Sequence, residues 1–491
     1  MSDLGKKAKT SVLWNTGFNF FRDILQFLVM LVLVRLISPS SYGKFALVSS
    51  IMTFIHVFSF NTFIQHVLQV RDDSKVNYQL HFSFGLVLQI LLFLLTNIIA
   101  FILNFLDSYQ NISVYLHVLS FVFFFELFSE LYRMQLQREL DWMRMRILHA
   151  IGIVLGSLLA ISIAYFDGGV YALIIPGFIS NIPFIYELLK TNKWRPTLEW
   201  KYSDYKETID FSLKRILSGL ASHGKPLTEN ILITSMFSFT QLGFYNRAIG
   251  LSTMLVHKFT LQFVFSIYPV LTKVEPFSEK FKRISGLILN FSAWFIFPMA
   301  FILVMMSENL VIVLYGDKWL SVIPFLGPAG VMMGLFALKH VIYSLVLSSH
   351  FEKVCSVFDI SLLLCSIVLL IFTIPFGLIY YLYAQILLST LSVIFLVLFS
   401  LRKNIFCIKS IFISFGAPTI SGLSAFALVL LCSNYLYNDN AIIKLFLDCF
   451  IFLIAYSFSI RILFKTSFSQ IVQYLPFKQQ ILLIFFLKEY Q

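Results

Sequence analysis

GFNFFRDILQFLVMLVLVRLISPSSYGKFAL, residues 17–47, holds one long apolar run carrying two adjacent charges, Arg22 and Asp23, then a polar turn at Ser38–Ser41, then the start of a second apolar run. A helix needs about 20 predominantly apolar residues to cross the ~30 Å hydrocarbon core of a bilayer. Runs of that length recur to the end of the chain, at 11–37, 42–69, 79–105, 112–136, 145–166, 169–190, 208–236, 242–269, 284–306, 321–348, 354–374, 377–401, 410–432 and 441–463. The pattern predicts an all-α polytopic membrane protein of about 14 transmembrane helices.

Charge in the gaps tests this count. With the N-terminus inside, the cytoplasmic segments hold 26 Lys and Arg against 4 in the opposite loops, Arg35, Lys44, Lys318 and Lys444. Short cytoplasmic loops retain positive charge, so both termini are expected in the cytoplasm. The net charge of +12 is spread over these loops and needs no nucleic acid to explain it. With 58% hydrophobic residues, 13% charged and a mean hydropathy of +0.84, the chain belongs in lipid. Its basic N-terminus leads into a run too long for a signal-peptide core and reads as an uncleaved first helix.

Cys355, Cys365, Cys407, Cys432 and Cys449 show no ligand spacing, which predicts neither a disulfide framework nor a metal site. No HExxH or GxSxG occurs, and no cofactor is expected. GLASHGKP (219–226) nearly matches a phosphate loop, but Pro226 stands where a hydroxyl would ligate magnesium. Gly224 and Pro226 instead predict a break in the seventh span, tolerated where irregular backbone lines a cavity. The loops are too short to insert a catalytic domain, so the chain is not expected to be an enzyme.

RLISPSSYGKFAL (35–47) and SMFSFTQLGFYNRAI (235–249) each follow a long span and turn around a glycine, Gly43 and Gly243, 200 residues apart. The register predicts an internal duplication, with two parallel bundles around a central cavity. The expected divisions are an N-terminal six-helix bundle at 1–205, a C-terminal six-helix bundle at 206–405, two additional helices at 406–465 and an interfacial amphipathic tail at 466–491.

The leader from Lys7 to Leu47, with ELYRMQLQRELDWMRMRIL (130–148), LGFYNRAIGL (242–251) and LYGDKW (314–319), resembles the Wzx-type polysaccharide flippases of the multidrug/oligosaccharidyl-lipid/polysaccharide exporter superfamily. Where related chains often place an Asp before LGxY, Glu229 and Asn230 stand here. The resemblance implies two six-helix bundles plus two C-terminal helices, alternating access in the bacterial cytoplasmic membrane, and undecaprenyl-pyrophosphate-linked oligosaccharide as cargo. It further implies polysaccharide polymerase and chain-length machinery as partners. A cation-coupled small-molecule or multidrug antiporter of the same fold is the alternative.

Ionisable side chains inside a span are costly unless they face protein or water. Seven are basic, namely Arg22, Lys214, Arg215, Lys225, Arg247, Lys258 and Lys339, and they form the expected cationic lining for a pyrophosphate. Each could equally snorkel or pair structurally. Asp23, Glu126, Glu130, His223, Glu229, His257 and His340 are the candidates for coupling or pairing. Glu126 and Glu130 lie four apart on one helix face, with Arg133 three further on. This pair reads either as a site for a coupling proton or as an inter-helix salt bridge.

Overall fold

The computed structural model describes residues 3–69, 76–191, 197–199, 202–257, 260, 274–435 and 440–463. The described residues are almost entirely helical, and they divide into two compact units, Met1–Gly243 and Phe244–Gln491. The segment expected as an interfacial tail lies outside the described residues.

The first unit begins with α1 (Asp3–Leu36), α2 (Pro39–His56) and α3 (Phe60–Ile64). It continues through α4 (Tyr78–Asn104), α5 (Gln110–Ser120), α6 (Val122–Arg138), α7 (Trp142–Tyr165), the short α8 (Tyr171–Ile174), α9 (Pro176–Ile179) and α10 (Ile182–Thr191), and α11 (Tyr202–Met236). Helix α12 (Phe239–Ser252) starts in this unit and ends in the second with a π-helical turn, Thr253–His257.

The boundary after α1 is written in its residues. Ser38 is extended and its hydroxyl accepts the amide of Ser41 at 3.3 Å, while Pro39 occupies the first helical position, where no backbone donor is needed. Two hundred residues later Ser238 caps the amide of Gln241 in the same way at 3.2 Å. The two helix starts then touch reciprocally. A methyl group on Gly43 would overlap the carbonyl oxygen of Phe239, and one on Gly243 would overlap that of Pro39. The register that predicted a duplication is thus also a contact, made by two glycines that let backbone meet backbone.

The second unit comprises α13 (Glu279–Met305), α14 (Ser307–Leu314), α15 (Ile323–Ser348), α16 (Glu352–Thr373), α17 (Leu378–Arg402), α18 (Ile408–Ile411), α19 (Ala417–Tyr435) and α20 (Ala441–Leu463). Small residues Gly327, Ala329, Gly330, Gly334 and Ala337 run along α15, which packs between α13 and α17. Close packing through small residues replaces the hydrophobic driving force that lipid cannot supply.

Burial is inverted relative to a protein in water. Leu91, Leu94, Leu95, Ile98 and Phe101 of α4 face outward, while Gln89 and Thr96 of the same helix are fully buried. Among the described residues, eleven helices are long and apolar enough to cross a membrane, or twelve if the bent pair α2 and α3 forms one span. The fourteen expected spans exceed this number at the seventh and eighth. Helix α11 is 35 residues long but crowded with charge, and the eighth span is described only to His257 and at residue 260.

The expected break in the seventh span is absent, for α11 runs through Pro226 as one helix. The interruption falls in the second span instead, at Val57–Ser59, where α2 and α3 meet at a bend of 40°. There Thr62 Oγ1 donates to the carbonyl of Val57 at 2.9 Å, so a side chain satisfies backbone that the broken helix released.

Candidate functional site

The break in the second span opens on a cavity of about 920 Å³ inside the first unit. Helix α2 contributes Phe45, Ser49, Met52, Thr53 and His56, and the broken segment and its continuation contribute Val57, Asn61, Thr62 and Gln65. Helix α6 adds Glu126, and α11 adds Gly219, Ser222 and His223. Among the described residues, no Lys or Arg lines it.

His56 is the last residue of α2, and the bend turns its imidazole toward α6. Its Nε2 lies 2.5 Å from Glu126 Oε2, and Ser59 Oγ lies 3.0 Å from its Nδ1. The ring stacks on Phe123 with centroids 5.8 Å apart. A ring held at both nitrogens and on one face has little rotational freedom, so a proton shared with Glu126 has a defined position.

Glu130 sits one helical turn behind and has different partners. Its Oε1 accepts Arg133 Nη1 at 2.5 Å, and Arg133 Nη2 also donates to Asn181 Oδ1 at 3.1 Å. Asn181 Oδ1 further accepts the Ser129 hydroxyl at 2.8 Å, and the guanidinium lies 4.5 Å from the Phe184 ring centroid. This is a satisfied network joining α6 to the α9–α10 segment. The two carboxylates that sequence reads as one pair therefore separate, with Glu126 on the cavity and Glu130 in the packing.

Of the other sequence candidates, His223 lines the cavity. Arg22 is bound to its neighbour Asp23 through Nε and Nη2 at 3.1 and 3.0 Å. Lys225 and Glu229 are half-buried on α11, four residues apart. In the second unit, Lys339 Nζ lies 4.1 Å from the Phe336 ring centroid, and the rings of His257 and His340 lie 5.2 Å apart beside it. Arg247 is half-buried, and its carbonyl accepts the Tyr315 hydroxyl at 3.2 Å. The side chains of Lys214 and Arg215, and all of Lys258, lie outside the described set. The described lining of the first unit's cavity mixes apolar side chains, among them Phe45, Met52, Leu119 and Ile174, with hydroxyls, two amides, two imidazoles and one carboxylate.

His56 escapes sequence reasoning. It lies in an apolar run, as do His66 and His81, and nothing local says that the helix stops there.

Comparison with known proteins follows the same line. The chain is 21% identical over 336 residues to an uncharacterized membrane protein in the cps region of Klebsiella pneumoniae, covering 65% of this chain and 67% of that one. It is 20% identical over 304 residues to the lipopolysaccharide biosynthesis protein WzxC of Escherichia coli K12, covering 60% and 61%. The teichuronic acid biosynthesis protein TuaB of Bacillus subtilis matches at 25% over 274 residues, covering 52% and 54%. Among solved structures, the lipid II flippase MurJ in an inward closed conformation shares the fold at a TM-score of 0.72 and 14% identity, over 92% of this chain and 99% of that one. An inward-facing multidrug resistance MATE family transporter aligns at 0.54 and 15%, over 77% and 94%. A polytopic helical chain with this fold, matched by the polysaccharide biosynthesis protein family over residues 32–324, belongs to that family.

Proposed function

We propose that this protein is a flippase that carries a polyprenyl-pyrophosphate-linked oligosaccharide from the inner to the outer leaflet of the bacterial cytoplasmic membrane, for assembly of a surface polysaccharide. The observation that carries this reading is a broken span lining a cavity that holds His56, Glu126 and two amides, in a chain of a polysaccharide biosynthesis family. Irregular backbone at membrane depth is tolerated where it faces such a cavity. The antiporter alternative has less support, since the family match is to polysaccharide biosynthesis and the MATE transporter aligns at the lower TM-score.

No covalent bond changes in this reading, and access alternates between the two faces. Basic side chains are the groups suited to meet the pyrophosphate, and Arg22 and Lys225 are candidates in the first unit. The His56–Glu126 pair is the coupling element. With one proton shared, the pair is neutral overall. Losing it leaves a net negative charge in the wall, and the two forms favour different hydration and different conformations.

Deletion of the gene tests the assignment, since lipid-linked repeat units should then accumulate on the inner leaflet, and an unchanged distribution rejects it. Glu126→Gln tests the coupling, with loss of pH-driven transport in liposomes expected at normal protein yield. A Glu126→Gln protein that responds to a pH gradient like wild type removes the pair from coupling.

A further inference from the structure

In the second unit, α16 turns one stripe of its surface into a groove. Val354, Phe358, Ser361 and Cys365 recur every three or four residues, so they share one helix face, and together with Phe395 of α17 they line a cavity of about 490 Å³. The rings of Phe358 and Phe395 stack with centroids 5.5 Å apart. Val357, Ile360 and Leu364 of the same helix are each more than half exposed, so the groove opens on a face turned to lipid. A lipid chain lying there gains no hydrophobic energy, because the tails around it are equally apolar. Preference for one lipid over another must then come from the headgroup.

Charge at one end of the groove supplies that preference. Lys353, the second residue of α16, is exposed and lines the groove. Helix α17 returns to the same end, where Arg402 is its last residue and Lys403 follows, both exposed. A run of rings ties Lys403 to the groove. Its Nζ lies 5.6 Å from the Phe351 ring centroid, Phe351 packs edge-on against Phe399 at 5.2 Å, and Phe399 lies 6.4 Å from Phe395. Of the nearby carboxylates, Glu352 lies 3.5 Å from His350 and Asp359 accepts the Tyr343 hydroxyl at 2.6 Å, and neither lines the groove. This is the end that loop charge assigns to the cytoplasm.

We infer that the groove between α16 and α17 is a binding site for one anionic phospholipid, with an acyl chain along Phe358, Ser361 and Cys365 and the phosphate between Lys353 and Lys403. Lys meets phosphate as a point charge, and each basic group near a membrane surface favours an anionic lipid about fivefold. A zwitterionic headgroup carries its own cation and loses that advantage. The site is independent of what the protein transports.

The test uses the purified full chain in phosphatidylcholine vesicles holding a small share of one of two photoactivatable probes, phosphatidylglycerol or phosphatidylcholine, each with the same diazirine-bearing acyl chain. Crosslinked peptides are then mapped by mass. The phosphatidylglycerol probe should label residues 353–365 about tenfold more than the phosphatidylcholine probe, as expected for two basic groups partly offset by Glu352. On the lipid-facing stretch Leu91–Phe101 of α4 the two probes should label equally. In Lys353→Gln/Lys403→Gln, the ratio on α16 should fall toward one. Ser361→Phe/Cys365→Phe keeps the charges but fills the groove, and should bring labelling of α16 by both probes down to the level on α4. Equal labelling of α16 by the two probes in wild type, the same preference on α4, or a preference that survives either pair of substitutions overturns the inference.

Discussion

At the scale of single residues, Glu126 and Glu130 show how far identity and spacing reach. Their four-residue separation put both on one face of α6, and that much was legible. Their fates depend on partners from elsewhere in the chain, His56 for one and Arg133 with Asn181 for the other. Glu130 has a side chain only 12% exposed, so removing its counter-charge strands a carboxylate. Arg133→Ala is expected to lower stability by about 3 kcal/mol, the low end for broken buried pairs, read as a drop in the thermal midpoint in detergent. Adding Glu130→Gln should recover most of that loss. His56→Gln should behave oppositely, with normal thermal stability and transport of a lipid-linked oligosaccharide reduced at least tenfold, if the ring carries the proton rather than the packing. The basic candidates were legible as costly intramembrane charges, yet no spacing could say that Arg22 would bind its own neighbour. Charge reversal of Lys225 or Lys339 to Glu is expected to abolish polysaccharide export at unchanged protein level.

At the scale of elements, the apolar runs marked the helices well because membrane depth fixes their length. Breaks were harder to read. Pro226 advertises one, but α11 passes through it, as membrane helices often do when neighbours take up the released backbone groups. The real interruption at Val57–Ser59 contains neither Gly nor Pro, and it is held by Thr62 and by the His56 contacts to Ser59 and Glu126, which only the fold assembles. The paired glycines are a different case: the sequence reads turns around Gly43 and Gly243, but both lie inside helices, α2 and α12, and it is the close backbone approach there that requires them. Gly43→Ala and Gly243→Ala must each push a helix start off a carbonyl oxygen, and both should sharply reduce folded yield and thermal stability. Gly17→Ala, where a methyl group meets nothing within 4 Å, should be neutral or stabilising by up to about 1 kcal/mol.

At the scale of the whole molecule, composition and loop charge announced a polytopic membrane protein, and the outward apolar faces of its helices agree. Orientation can be read directly by labelling. In a background free of native cysteines, Lys353→Cys should react with an impermeant thiol reagent only from the cytoplasmic side, and Lys318→Cys only from outside; the reverse pattern would invert the topology. What composition could not reveal is that two cavity-lining amides, Asn61 and Gln65, sit just past the point where the second span gives up its helix. The flanking helices keep their own backbone bonds and packing, and Asn61 and Gln65 carry little of that framework. Phe60, Ile64 and Val67 of this stretch are fixed in the core, whereas the cavity-lining Asn61 and Gln65 can be exchanged at low structural cost. Drift at those two positions would reshape the chamber wall while leaving the surrounding machine intact.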